Sequence, residues 1–223
     1  FVLKAFAAEA LQYTGCRVGV FWDYCSLPQK NLDGVDDRTE AEKARCGRVL
    51  KGGINALYGH QQTHVLLVTT PLPTGHPYFN TQPYDGRGWC FAESVMSAIV
   101  KDYTALIDLG KLAGDEADVD TLVQKGKSER RPPIAPDAFH QMLRSGVGDE
   151  SIKFTNKGDV DVVAAIYKRA FLDEMTAATA LYYADLDWGN AHMATLAAAL
   201  TYAHASGSLA QLTVSSHPNR PLP

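Results

Sequence analysis

Two apolar segments with the character of buried strands, each followed by a polar loop and a helix pattern, constrain the fold of this chain most. Residues 17–24 are rich in Val, Phe, Trp and Tyr, and residues 64–70 form a second apolar run. Residues 104–109 repeat the pattern after another helix. Strands that alternate with helices are typical of an α/β fold with a parallel sheet, whose ligands bind at the carboxyl ends of the strands. We therefore predict an open α/β sheet.

Helical spacing of apolar residues accounts for much of the remaining chain. Thr39 is a good N-cap for one of these helices, and Gly52 and Gly53 are a weak point or bend within it. Residues 110–136 are polar and contain proline, which predicts an insertion or a mobile loop. The predicted helices are residues 1–13, 39–58, 89–101, 137–144, 159–179 and 192–205, with a short strand at residues 151–155.

Composition narrows the function class. The 223 residues include 21 basic and 25 acidic side chains, for a net charge of −4, without the clustered basic surface of a nucleic-acid-binding protein. The basic cluster at residues 125–131 predicts a solvated loop rather than a phosphate-binding patch. No apolar run reaches the ~18 residues of a membrane span, and no signal-peptide pattern is visible. We therefore expect neither a nucleic-acid partner nor a membrane span.

The cysteines and the first residue bear on cellular context. None of the four cysteines is paired at C-x-x-C spacing, and a core of this size needs no disulfide framework. We therefore expect reduced thiols and an intracellular, cytoplasmic location. Because the chain opens at Phe1 within a helix pattern, we also expect it to be a piece of a longer polypeptide.

Residues 87–93 (RGWCFAE) hold the most site-like arrangement in the chain. Trp89 and Glu93 are four residues apart, so they share one face of a helix. A carboxylate beside an aromatic surface can stabilise a cationic centre. Glu93 is therefore a candidate catalytic residue, and its alternative role is an ordinary helix acid that pairs with Arg87 or Lys101. The alternative role for Trp89 is core packing.

Other candidate groups have weaker patterns. Asp23 ends the first strand pattern, either as a site carboxylate or as a side chain that satisfies loop amides. Cys25 and Cys90 have no histidine at a diagnostic position, so neither is predicted to be a nucleophile. His60 and His64 straddle a helix end and a strand start, and we predict no metal site and no Gly-rich phosphate loop.

Three of these segments together resemble the Toll/interleukin-1 receptor (TIR) domain. The family has an aromatic-Asp motif at the end of its second strand, which residues 21–24 (FWDY) match. Residues 65–68 (VLLV) match its hydrophobic fourth strand, and residues 89–93 match its Trp-Cys-x-x-Glu helix. The resemblance covers about residues 1–109 and implies a flavodoxin-like parallel sheet with helices on both faces. It departs from the family in lacking the first strand and in the loop SLPQ at residues 26–29.

Some members of this family hydrolyse NAD at the bond between nicotinamide and ribose. The resemblance implies that Glu93 is the carboxylate that acts on the nicotinamide ribose. NAD would be a substrate, and no cofactor is implied. The residues that would bind the substrate are Trp89, Trp22, Asp23, Tyr24 and Arg87.

The last part of the chain resembles a different family. Residues 181–219 contain a Leu-x-Leu segment, an alanine-rich helix and a second strand-like segment, which is similar to a leucine-rich repeat of the ribonuclease-inhibitor type. The alternative is a terminal β-α-β element of the main domain. We predict a TIR-like domain at residues 1–179, with its first strand missing and an insertion at residues 110–136, and a leucine-rich-repeat-like segment at residues 180–223.

Three functions follow from these patterns. We favour an intracellular TIR-like interaction, signalling or scaffold module that works through protein partners or self-association. The alternatives are a NAD glycohydrolase that uses Glu93 and a nucleoside deoxyribosyltransferase-like enzyme with Glu93 as nucleophile and Asp23 as its partner. A Glu93 that faces an open cleft with Trp22, Asp23 and Tyr24 would favour the enzymes. Cover by residues 110–136 or by another chain would favour the scaffold.

Overall fold

The structure, a computed structural model, describes residues 1–15, 17–31, 35–78, 80–116, 118–156, 158–183, 186–208 and 213–215, without the side chains of residues 13, 14, 23, 24 and 213–215. It combines helices with two small parallel sheets, an architecture compatible with the predicted α/β class. No helix in these ranges is long and apolar enough to cross a membrane. The helices are α1 (Val2–Thr14), α2 (Asp23–Ser26), α3 (Glu40–Arg48), α4 (Ile54–Gly59), α5 (Gly88–Ser97), α6 (Val119–Lys125), α7 (Pro136–Gly148), α8 (Asp159–Ala177) and α9 (Asn190–Ala205). The strands are β1 (Val65–Leu67), β2 (Leu106–Asp108), β3 (Ala180–Tyr182) and β4 (Thr213–Ser215).

The first predicted helix forms, but the strand predicted after it does not. α1 ends at Gly15, whose φ of 65° lies in the left-handed region that closes helices. Residues 17–22 follow without regular structure. Val18, Val20 and Trp22 alternate as a strand requires, yet they are 42%, 56% and 63% exposed. The prediction of a buried strand here is wrong, because a strand needs a neighbour for its N–H and C=O groups and no described segment provides one.

The helix predicted at residues 39–58 is confirmed, together with its weak point. Thr39 and Glu42 form a reciprocal capping box in which the Glu42 carboxylate accepts the Thr39 N–H at 2.8 Å and the Thr39 hydroxyl accepts the Glu42 N–H at 3.3 Å. α3 then continues through a π-helical segment, Val49–Gly53, into α4. The two glycines lie at the end of that segment, where low helix propensity favours a change in helix geometry.

β1 and β2 form a two-stranded parallel sheet that is covered on both faces. Leu66 lies opposite Ile107 in the register of the pair. Val65 and Leu67 are buried on one face in a cluster with Ala98, whereas Leu66 packs against a different cluster on the other face. Burial on both faces is typical of parallel sheets. The edge formed by the carboxyl ends of the strands is therefore the part of the sheet at which a site can form.

An aromatic stack fills the main core between α5, α7 and α8. The rings of Phe139 and Tyr167 have centroids 3.9 Å apart, and Phe91 stacks on Phe139 at 6.0 Å. Phe171 extends the stack from Tyr167 at 6.2 Å. These residues lie in one buried cluster. The amphipathic helix predicted at residues 159–179 is confirmed by α8, which supplies Tyr167 and Phe171.

Replacement of Tyr167 by Phe is expected to lower the free energy of unfolding by about 1–3 kcal/mol. The buried Tyr167 hydroxyl donates to the Ile134 carbonyl at 2.7 Å and accepts the Ile134 N–H at 3.1 Å, so the change leaves both backbone groups unpaired. Urea unfolding with an unchanged m-value measures the loss. Tyr202→Phe is the control, because the Tyr202 ring packs on Phe171 without a described hydroxyl bond. Equal losses in the two variants would contradict the role of the hydroxyl bonds.

Residues 110–136 are more ordered than the predicted mobile loop. They contain α6, and Ile134 at their end is buried. The basic cluster predicted to be a solvated loop is not solvated at Arg130, which is 4% exposed. Its guanidinium donates to the Ala98 carbonyl at 3.2 and 3.1 Å and to the Tyr182 carbonyl at 2.8 Å. The prediction is wrong at Arg130, because main-chain carbonyls take the place of water.

The carboxyl-terminal elements form a parallel β-α-β unit. The strand and helix patterns of this region are confirmed by β3, α9 and β4, with Leu181 opposite Val214. Residues 209–212 lie outside the described part of the chain. Leu181, Ala199 and Ala203 belong to the same buried cluster as Phe91. This unit therefore packs on the main core through β3 and one face of α9.

Candidate functional site

The chain returns to the sheet after β1 at Tyr84, just before α5 begins. The ring of Tyr84 packs against the cluster that contains Leu67 and Ala98. A single 3-10 turn, Tyr84–Gly86, then leads into α5. The start of α5 is fixed by the Gly88 N–H, which donates to the Lys153 carbonyl at 3.0 Å. A short strand was predicted at residues 151–155. In the structure that segment forms a single-residue bridge, between Lys153 and Arg87. Tyr84 and Ala98, at the two ends of α5, thus both pack on the cluster that contains Val65 and Leu67 of β1.

Tyr84, Arg87 and Glu93 form a polar group at this position. The Arg87 guanidinium carbon lies 5.5 Å from the centroid of the Tyr84 ring. Burial raises the pKa of Tyr84, and the negative forms of Cys90 and Glu93 raise it further. Tyr84 is therefore a neutral phenol beside a carboxylate. A phenol, a guanidinium and a carboxylate together can orient a polar ligand and stabilise a positive centre.

One donor in this group has no acceptor among the described residues. The Nε atom of Arg87 is buried and makes no hydrogen bond. A buried N–H without a partner costs about 1–3 kcal/mol, so such atoms are uncommon in folded proteins. The Arg87 Nε–H is a donor that a ligand carbonyl or phosphate oxygen can satisfy.

Trp89 lies on the same helix but is held by a different neighbour. Its indole Nε1–H donates to Asp159 Oδ2 at 2.9 Å, and Asp159 Oδ1 accepts the side-chain N–H of Asn156 at 3.0 Å. The half-buried ring packs against the main core. Trp89 therefore joins α5 to the first turn of α8, which is the core-packing role that the sequence left open for it.

Among the amino-terminal members of the predicted site, Trp22 is described and lies in solvent. Trp22 is 63% exposed, and its backbone N–H donates to Ser26 Oγ at 3.1 Å at the start of α2. The side chains of Asp23 and Tyr24 lie outside the described part of the chain. The structure brings Arg87, Trp89 and Glu93 together at one helix and leaves Trp22 in solvent.

Two polar residues at the carboxyl edge of the sheet were not predicted from the sequence. The Thr69 hydroxyl donates to the Asp108 carboxylate, and the Gly110 N–H donates to the same Asp108 oxygen at 2.9 Å. Gly110 lies so close to Thr69 that a Cβ atom would collide with the threonine hydroxyl. The only signal for this arrangement is an acid at the end of an apolar run. The Asp108 carboxylate caps the turn Leu109–Lys111, so it is engaged in structure.

Lys101 was considered above as a partner for Glu93, but it forms hydrogen bonds just after the end of α4. It is buried, and its ammonium group donates to the His60 carbonyl and to Thr63 Oγ1, the second at 2.7 Å. Burial lowers the pKa of Lys101 to about 8, although the nearby Glu174 acts in the opposite direction. This contact joins the ends of α4 and α5.

An open cleft of about 400 Å³ lies beside the turn Tyr84–Gly86, against the end of α7. Arg131 Nη2 lies 3.3 Å from Asp85 Oδ2, and the Arg131 guanidinium carbon is 5.3 Å from the centroid of the Phe91 ring. Neither Trp89 nor Glu93 lines this cleft. Its lining includes the charged residues Asp85, Arg131 and Asp149 and the apolar residues Phe91, Met142 and Ile152.

Comparison of the chain with known protein families, with curated proteins and with solved structures finds no match. Within the described ranges, no group of three or more His, Cys, Asp or Glu side chains is arranged to hold a metal ion. What the site can do therefore follows from the residues of this chain alone: a polar group around Tyr84 and Glu93, and a separate cleft around Asp149.

Proposed function

We propose that this chain is an intracellular interaction or scaffold module with a TIR-like, flavodoxin-like sheet, and that it works through protein contacts, including contacts with itself. The supporting observation is the apolar surface of its first 35 residues. Folded proteins bury most of their large apolar side chains, so a segment of the chain that exposes many of them is a candidate interaction surface. Of the thirteen exposed large hydrophobic residues in the described chain, seven lie in this region: Phe1, Leu3, Leu11, Val18, Val20, Trp22 and Val35.

The arrangement around α5 also favours contacts over catalysis. Glu93 does not line the cleft, Trp22 projects into solvent, and the Trp89 indole is bonded to Asp159. An aromatic pocket around the carboxylate is therefore not assembled from these side chains. The described cysteines, Cys25, Cys46 and Cys90, are free thiols.

A NAD glycohydrolase is the second candidate, and one observation favours it. Glu93 lies near a neutral Tyr84 phenol, and the neighbouring Arg87 carries an unpaired buried Nε–H. A carboxylate in such a group can stabilise an oxocarbenium-like centre while the guanidinium holds a phosphate or carbonyl oxygen. The deoxyribosyltransferase-like alternative would use the same carboxylate as its nucleophile.

The purified chain is expected to release no nicotinamide from NAD above the enzyme-free rate, and to sediment as larger species as its concentration rises. Chromatographic detection of nicotinamide and sedimentation velocity measure the two properties. Glu93→Gln is the test variant, and Glu129→Gln is the matched control because the Glu129 side chain is 96% exposed. Release that persists in the Glu129 variant and disappears in the Glu93 variant would make the chain a NAD-consuming enzyme and contradict the proposal.

A further inference from the structure

Residues 17–22 have the properties of a peptide ready to dock on another surface. They have no regular secondary structure and pair with no described strand. The exposed Arg17 is followed directly by Val18 and then by Val20, which are 42% and 56% exposed. A Cβ atom placed on Gly19 would meet nothing within 4 Å, so the space around this backbone is open. The segment offers a cation next to two exposed aliphatic side chains.

The cleft has the complementary charge. Asp149 accepts the Ser151 N–H at 3.0 Å, and no described cation pairs with it. Hydrogen bonds from Ser151 hold the pKa of Asp149 below its usual range, so its carboxylate is ionised at neutral pH. Among the described residues that line the cleft, Arg131 carries the single guanidinium, and it is paired with Asp85. Two carboxylates against one guanidinium leave the cleft with a net negative charge.

The cleft also has an apolar wall suited to aliphatic side chains. Met142 is 41% exposed at the cleft, with Ile152 and Phe91 behind it. A methionine side chain is flexible and polarisable, so it adapts to the shape of an incoming group. A basic residue followed by aliphatic residues therefore matches both the charge and the apolar part of the cleft.

We propose that residues 17–22 of one copy of this chain dock in the cleft of a second copy. Arg17 then lies against Asp149, and the aliphatic side chains of the segment pack on Met142. This inference rests on the proposed function and names its partner as the chain itself. Because the segment and the cleft are different surfaces, the contact is head-to-tail, and each copy retains one free segment and one free cleft.

The second copy is the occupant that the structure favours. Both surfaces are open in the described part of one chain: Val18, Val20 and Trp22 of the segment are exposed, and no described side chain fills the cleft. Every copy supplies both halves of the complementary pair. A head-to-tail contact of this kind adds copies one after another, so the size of the assembly rises with concentration.

Charge reversal on either side is expected to weaken self-association at least about tenfold, because a like charge then faces its former partner. The variants are Arg17→Glu and Asp149→Lys, and sedimentation velocity over a concentration series measures each. Both residues are exposed, so circular dichroism is expected to match that of the parent chain, and loss of the exposed hydrogen bond from Ser151 to Asp149 is expected to lower the free energy of unfolding by no more than about 1.5 kcal/mol. Glu129→Lys is the matched control for an added charge away from the cleft and is expected to associate like the parent chain.

Two rescue experiments separate a direct contact from a general change in charge. The double variant Arg17→Glu/Asp149→Lys restores a complementary pair and is expected to associate like the parent chain. An equimolar mixture of the two single variants is expected to associate although neither does so alone, which places the contact between copies. Failure of both rescues would overturn the inference.

The same measurements distinguish the inference from the proposed function. Association that is equally strong in the parent chain and both single variants would mean that another surface is used, which overturns the docking contact and leaves the interaction module standing. A parent chain that remains monomeric at every concentration overturns the docking contact. The proposed function is tested by a separate measurement. Release of nicotinamide from NAD that depends on Glu93 would contradict it.

Discussion

Replacement of Arg130 by Ala is expected to lower the free energy of unfolding by about 3–5 kcal/mol. The guanidinium supplies hydrogen bonds to two main-chain carbonyls, the buried one of Ala98 and the partly buried one of Tyr182, and a buried carbonyl left without a donor costs about 1–3 kcal/mol. The side chain also stacks on Tyr183, with its guanidinium carbon 4.5 Å from the ring centroid. These contacts join the end of α5 to β3, so their loss loosens the carboxyl-terminal unit.

The adjacent residue gives a matched control for this prediction. Arg131 carries the same group, but its side chain is 47% exposed and pairs with an Asp85 side chain that is 64% exposed. Arg131→Ala is expected to change the free energy of unfolding by no more than about 1 kcal/mol. Arg130→Lys keeps the charge but not the planar fork, and is expected to fall between the two alanine variants. Urea unfolding measures all three, and similar values for Arg130→Ala and Arg131→Ala would refute the structural role of Arg130.

Arg130 also illustrates what a sequence pattern cannot specify. A run of basic residues beside prolines is typically solvated, and the sequence carries no signal that two carbonyls 32 and 52 positions away meet the guanidinium. Tertiary packing brings those carbonyls together. The helix that starts at Thr39 and the helix α8 were predicted correctly from the sequence. Their signals, a capping box and an apolar period, depend only on residues within a few turns.

The segment at residues 17–22 shows that a sequence pattern also cannot specify whether a strand finds a partner. Its content of Val, Phe, Trp and Tyr predicted a buried strand, whereas in the structure it has no regular structure and Val18, Val20 and Trp22 are exposed. A strand also requires a neighbour at a distant position in the chain, which residue content does not encode. The apolar residues that suggested a strand therefore lie on the surface without a described partner strand. This exposed apolar segment is the basis for the docking contact proposed above.

For the candidate site, too, the sequence predicted the local arrangement but not the tertiary contacts. The pairing of Trp89 with Glu93 on one helix follows from their spacing, and α5 places both as predicted. Their surroundings do not follow from spacing, because Asp159 lies 70 residues from Trp89 in the chain. The indole hydrogen bond to Asp159 changes the role of Trp89 from a pocket wall to a link between helices.

Replacement of Phe139 by Ala is expected to lower the free energy of unfolding by about 3–5 kcal/mol, because it removes the central ring of the buried stack and leaves a cavity that helix packing closes only in part. Phe139 is fully buried, lies 3.9 Å from Tyr167 between ring centroids, and stacks nearly parallel to Phe91 at 6°. The same rings connect α5, α7 and α8, so the loss is expected across the whole main core.

Met142→Ala is the matched control on the same helix, because Met142 is 41% exposed and lies one turn further along α7. It is expected to change stability by no more than about 1 kcal/mol. It is also expected to weaken self-association, since Met142 lines the cleft. Urea unfolding and sedimentation velocity on the two variants therefore separate the core from the surface of α7. A Phe139 variant as stable as the parent chain would mean that the aromatic stack does not hold these helices together.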